Sequence, residues 1–179
     1  ESFDHPAAHL SHRWNLAEAG QHVDKISLIE NEAYRENVAW AFELWGQVNP
    51  LLNDLPHQVI HGDGNPENLL AEKDQIVGLV DFGDCCYAPR ICELAICLAY
   101  MMMDRDEPME AARVVIEGYC SVIDLSEDEL AVLFPLACGR LAVTVCMASA
   151  RQKEDPDNPN WFASLVPAQR LLKQLRNLV

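Results

Sequence analysis

Positive charge is scarce in this 179-residue chain: 13 Lys and Arg stand against 28 Asp and Glu, a formal charge of −15. A surface so acidic repels phosphate backbones, so no nucleic-acid partner is expected. Long apolar runs are also lacking. The greasiest, residues 94–103 (LAICLAYMMM), falls short of the roughly 20 residues that a membrane-spanning helix needs. No basic segment followed by an apolar one opens the chain, so neither a signal peptide nor a membrane partner is expected. The seven cysteines include no C-x-x-C pair, and no histidines stand at metal-finger spacing. Cys85, Cys92, Cys97, Cys120, Cys138 and Cys146 lie among apolar residues and read as small buried hydrophobes, which fits a reducing, cytoplasmic compartment. Repeats, low-complexity tracts and an internal linker are missing too, so one domain over residues 1–179 is expected. Apolar residues, by contrast, make up half the chain, enough for a sizeable core.

Apolar residues recur at 34, 38, 41, 42, 45 and 48, the spacing of an amphipathic helix within residues 28–48. Residues 1–27 show no firm period, although HRWNL is able to open a short helix. Beyond the prolines of NPLLNDLP the character changes. HQVIHGD, NLLAE and QIVGLVDFG are short apolar segments between Gly, Pro and Asp; they predict three strands, the last two forming a hairpin around EKDQ. From Pro89 the pattern is helical again. PRICELAICLAYMMMDRD predicts a buried helix and EPMEAARVVIEGYCSVI another. Ser126 and Glu129 form an S-x-x-E capping pattern before the apolar segment 130–150, where Pro135 is expected to kink the helix and Gly139 to permit a close approach. After KEDPDNPN, residues 161–178 predict a closing amphipathic helix. The fold class is α+β, mostly helical, with a small β insert.

That insert holds the polar residues that are hardest to explain structurally. In VIHGDGNPENLL, Asp63 and Asn68 stand five apart between apolar flanks, and Asp81 of VDFG follows thirteen residues later. Phosphoryl transfer asks for such a set. A base orients an attacking hydroxyl and accepts its proton, while hard oxygen ligands hold the metal that neutralises nucleotide phosphates. An Asp and an Asn five apart on one loop can serve hydroxyl and metal respectively, and an Asp ending a neighbouring strand can complete the metal site.

The pair HGDGNPEN and DFG resembles the catalytic and metal-binding motifs of the protein-kinase-like superfamily, in the aminoglycoside phosphotransferase and choline kinase branch that phosphorylates small molecules. The run LVDFGDCCYAPRICELAICLAY resembles hydroxylysine-kinase-like members in particular. The resemblance covers residues 57 to about 103 well and the flanking helices more loosely. It implies the helical C-terminal lobe of a kinase-like fold. It also implies Asp63 as catalytic base, His61 bracing the catalytic loop beside it, and Asn68 and Asp81 as ligands of the Mg²⁺ that accompanies ATP. Asp84 and Glu93 match acidic positions of the branch, the first facing substrate and the second anchoring the loop. ATP and Mg²⁺ are the implied cofactors. The implied substrate is a small cationic hydroxyl compound: an amino alcohol, or a hydroxylysine-like or aminoglycoside-like molecule.

Active kinases of this kind also clamp ATP under a glycine-rich strand–turn–strand and with a strand lysine. The eight glycines here form no G-x-G-x-x-G, Lys25 is the only lysine before the catalytic loop, and Glu1 rather than Met comes first. We therefore expect a C-terminal catalytic and substrate lobe from which the nucleotide-clamping N-terminal lobe is absent, with little turnover by itself. The expectation from another class is a non-catalytic kinase-like module, fused to or scaffolding another enzyme. The intact trio Asp63, Asn68 and Asp81 speaks against it. A metal-dependent hydrolase built on HGD and Asp81 lacks histidines at ligand spacing.

Overall fold

A computed structural model describes residues 3–179; Glu1, and the expectation drawn from it, lie outside them. In chain order the elements are α1 (Glu32–Val48), β1 (His57–Ile60), β2 (Leu69–Glu72), β3 (Gln75–Leu79), β4 (Cys86–Pro89), α2 (Ile91–Met102), α3 (Pro108–Cys120), α4 (Glu127–Glu154) and α5 (Leu165–Arg176). The mostly helical α+β class is what the sequence predicts.

The core forms around α4, because residues 132–148 are apolar on nearly every face and must be covered on nearly every side. α1, α2, α5 and the 3₁₀ segment Leu16–Leu28 all pack on it. By length and composition α4 could cross a membrane, a stretch that counting uninterrupted apolar runs misses. Yet 78% of its most apolar window is buried within this fold. Gly139 gives the close approach expected of it: a Cβ there would lie 2.9 Å from Trp45 Cδ1, so only glycine lets the indole of α1 sit against α4. Trp45 in turn donates from Nε1 to the Leu16 carbonyl at 2.9 Å, fastening the N-terminal segment to the same core. Pro135, where a kink is expected, lies inside α4, which runs through it as one helix. Proline removes a single backbone bond there, and the surrounding packing holds the rest.

Two predicted boundaries move. α1 begins at Glu32, not residue 28, because the Asn31 side chain accepts from Tyr34 N–H at 3.2 Å and caps the helix. The closing helix begins at Leu165, preceded by a 3₁₀ turn at Pro159–Phe162. The β part needs a larger correction. β2 and β3 form the expected hairpin, but β1 pairs antiparallel with β4, a strand the sequence did not suggest. CYAP is four residues without polar–apolar alternation, and Pro89 looks like a helix start. In the fold it ends the strand, opposite His57.

Arg90 then ties this β pair to the start of α4. Its Nε and Nη2 donate to Glu129 Oε1 and Oε2 at 2.7 and 2.9 Å, while Ser126 N–H donates to Oε2 at 3.0 Å. The capping box expected of Ser126 and Glu129 is thus present, with an arginine added to it. Glu129 is fully buried. The Arg90 bonds, against burial and with help from Ser126, hold its carboxyl down at about 2 from an ordinary 4.5. A depressed carboxyl stabilises the fold above its unfolded value and loses that contribution as pH falls through the native one. Glu129 should therefore contribute about 3 kcal/mol near neutral pH, fading between pH 4.5 and 2. Denaturant titrations of the protein and of Glu129→Gln should show a stability gap that closes over this window; a gap independent of pH would contradict the assignment.

Candidate active site

The loop after β1 is shaped by two glycines and one acid. Gly62 adopts φ +80°, and a Cβ there would lie 2.5 Å from the Asp84 carbonyl oxygen, so both conformation and space demand glycine. Its N–H donates to Glu93 Oε2 at 3.0 Å. Glu93, in the first turn of α2, also sits where a Cβ on Gly64 would meet its Oε1 at 2.7 Å. Glu93 thus meets the loop at both glycines.

His61 spans two segments. Asp63 N–H donates to its Nδ1 at 3.3 Å, which leaves Nε2 as the donor to the Val80 carbonyl at 3.0 Å. With both nitrogens engaged by backbone and the ring set edge-on to Phe82, His61 braces the loop and has no nitrogen left for a proton relay.

Three side chains converge on the Asp63 carboxylate. Arg140 Nη2 donates to Oδ1 at 2.8 Å; Asn65 Nδ2 and Asn68 Nδ2 donate to Oδ2 at 2.9 and 3.0 Å. Asn65 earns its place twice, because its Oδ1 also accepts from the N–H groups of Glu67 and Asn68 and caps the turn Pro66–Asn68. Asn68 Nδ2 donates to the Asp63 carbonyl as well, at 2.9 Å. Its amide nitrogen is thereby committed, and its carbonyl oxygen is the end left for another ligand. Val80 N–H donates to the Asn68 carbonyl at 3.0 Å, so the residue before Asp81 is fastened to Asn68 at the open end of the β2–β3 hairpin.

Asp81 itself is left-handed, with φ 63°, an unusual conformation for a residue with a Cβ. Among the described residues its carboxylate receives only a long contact, from Gly83 N–H at 3.4 Å. Two hard oxygen donors, the side-chain Oδ1 of Asn68 and the Asp81 carboxylate, thus come from fastened segments, and this donor set suits Mg²⁺. No cluster of three His, Cys, Asp or Glu residues able to hold a metal occurs among the described residues, so an ion here would take its remaining ligands from water and phosphate.

Asp63, Asp81 and Asp84 line a cleft of about 470 Å³ together with Trp14, Tyr100, Arg140, Arg151 and residues 160–164. Burial raises the pKa of Asp84, with His12 at 3.4 Å acting in the opposite direction. Arg140, which the motifs did not flag, is only 2% exposed. Its Nη2 also donates to the Tyr100 hydroxyl at 3.0 Å, and its guanidinium lies over the rings of Trp14 at 5.0 Å and Tyr100 at 5.3 Å. Among the described residues Nε and Nη1 have no hydrogen-bond acceptor, and the aromatic faces are what compensate the charge there. A signal for Arg140 existed: it is the only charged residue in the apolar segment 130–150, and a buried charge requires a partner. No local pattern marks Trp14.

A carboxylate held by three donors thus lines this cleft, which Asp81 and Asp84 share. The family model of the phosphotransferase enzyme family matches residues 3–132, and the chain belongs to that family. Hydroxylysine kinase of Mus musculus is 29% identical over 194 residues, covering 99% of this chain and 50% of its own length. Homoserine kinase of Zymomonas mobilis is 36% identical over 88 residues, covering 48% of this chain and 28% of its own. The chain thus spans about half the length of the hydroxylysine kinases it matches. A solved aminoglycoside-3'-phosphotransferase of type VIII overlaps 78% of this chain and 66% of its own at 19% identity, with a TM-score of 0.37, and membership rests on the family model instead.

Proposed function

We propose that the chain is the catalytic and substrate-binding lobe of an ATP- and Mg²⁺-dependent O-phosphotransferase acting on a small cationic hydroxyl compound. The observation that carries this is the Asp63 carboxylate, fixed by Arg140, Asn65 and Asn68 before any substrate arrives. Asp63 accepts a hydrogen bond from the acceptor hydroxyl and takes its proton as the oxygen bonds to the γ-phosphorus of ATP; the bond from that phosphorus to its bridging oxygen breaks, and ADP leaves. Because the donors already hold the carboxylate, little reorganisation is needed at the moment of reaction. Asn68 and Asp81 would hold Mg²⁺, which supplies charge neutralisation on the phosphates. Asp84 and Glu67, on the same cleft, favour a cationic acceptor.

The nucleotide-clamping half is proposed to lie outside these residues. Three things support this: the missing glycine-rich strand–turn–strand and strand lysine, the length of the relatives, and an uncovered apolar face. On that face Leu70, Ile76, Val77 and Phe82 are 49–62% exposed on and beside the β2–β3 hairpin, where a second lobe would cover them. A reducing, cytoplasmic setting suits the seven free thiols, of which burial pushes Cys86 up to about 11 and Cys138 and Cys146 up to about 12.

ADP release measured with and without hydroxylated amines tests the proposal. Release should require both acceptor and Mg²⁺, and should be slow for the 179 residues until the nucleotide-clamping half is supplied. Release indifferent to acceptor would contradict it, and no release with both halves present would favour the scaffolding module.

A further inference from the structure

Arg140, Thr144, Ala148 and Arg151 follow one another along α4 at spacings of four, four and three residues, and all line the cleft. The Trp14 indole meets both guanidinium groups, Arg140 at 5.0 Å and Arg151 at 5.5 Å. The two arginines differ in what else they do. Arg140 is buried and bonded to Asp63. Arg151 is half-buried and, among the described residues, donates no side-chain hydrogen bond and forms no ion pair, although three aspartates share its cleft in a chain of charge −15. Stacking on an indole fixes the plane of a guanidinium and leaves its N–H edge facing outward, a fork that matches the two oxygens of a carboxylate. Thr144 adds an independent observation: it is only 6% exposed, lines the same cleft, and its Oγ1 is buried with no partner among the described residues.

We propose that Arg151, oriented by Trp14, is the recognition group for a carboxylate on the acceptor, with the Thr144 hydroxyl as a further donor. The acceptor is then a hydroxyamino acid, whose hydroxyl meets Asp63, whose ammonium suits the acidic residues of the cleft and whose carboxylate meets Arg151. An amino alcohol or an aminoglycoside leaves Arg151 and Thr144 unmatched. This rests on the phosphotransferase reading for the reaction at Asp63 and narrows its substrate class. Arg151 also stands in the last turn of α4, where any cation offsets the helix dipole. Lysine would serve that role equally well, and it lacks both the fork and the stack.

Calorimetric titration of the protein with homoserine and with 5-hydroxylysine, each beside its decarboxylated counterpart, separates these roles. The protein should bind at least one of the two amino acids about tenfold or more tighter than the decarboxylated molecule. Arg151→Gln and Arg151→Lys should each bring the two affinities close to parity, a loss of about 10- to 100-fold in preference. Equal affinities in the unsubstituted protein, a preference that survives in Arg151→Gln, or binding of neither amino acid would overturn the proposal. Arg151-dependent binding without phosphate transfer, with the nucleotide-clamping half supplied, would leave it standing and remove the phosphotransferase reading. Transfer to amino alcohols and amino acids alike would do the reverse.

Discussion

Asp63→Asn, under the proposed function, should lower kcat for phosphate transfer by about 10³-fold or more, with the KM for ATP changed by only a few-fold. The loss has two sources. The proton of the attacking hydroxyl has no carboxylate to go to, and the amide cannot be held as the carboxylate was. Oδ1 of Asp63 accepts from Arg140, while Oδ2 accepts from Asn65 and Asn68. Whichever way an asparagine amide turns, its NH₂ meets donors on one side, so only a carboxylate satisfies all three partners. Steady-state kinetics, with thermal melting as a check that the variant folds, measures the effect. A folded variant with full activity would remove Asp63 from the chemistry.

Arg140→Leu is expected to destabilise the fold strongly. The guanidinium is almost fully buried, whereas the Asp63 side chain keeps 20% of its exposure. Breaking a buried ion pair by removing one partner costs about 3–5 kcal/mol, and residual solvent at Asp63 places this case toward the lower end, about 3 kcal/mol. The Tyr100 hydroxyl and the faces of Trp14 and Tyr100 lose their partner in the same step. In a chain of this size the loss should appear as a fall in Tm of about 6–12 °C. Substituting Asp63 as well should recover part of it, because the unpaired carboxylate is then gone. A fall of less than about 1 kcal/mol in denaturant titration would mean that the pair contributes little. Activity should fall with stability, since Asp63 loses one of the three donors that aim it.

The candidate site could be picked out in the sequence where its residues are local. Asp63 and Asn68 share one loop, Asp81 follows a predicted strand, and His61 and Glu93 make hydrogen bonds to the backbone of that loop. The capping box at Ser126 and the close packing at Gly139 were legible for the same reason: each follows from a few neighbouring residues. What escaped depends on partners distant in the chain. Arg140 lies 77 residues from Asp63, and Trp14 reaches the cleft from a 3₁₀-rich segment without periodicity. β4 exists because β1 is there to pair with it, and its four residues alone carry no strand signal. Arg90 joins Glu129 across 39 residues for the same kind of reason, and turns a helix cap into a tie between the β pair and the core.

The most direct measurement of the central claim is a phosphorus NMR spectrum of the protein, with the proposed nucleotide-binding half present, during turnover of Mg·ATP and a hydroxyamino acid. A phosphomonoester resonance coupled to the protons of the acceptor carbon should grow in step with ADP and be missing in Asp63→Asn. ADP accompanied by inorganic phosphate alone, or a phosphomonoester that forms as fast in Asp63→Asn, would contradict the account.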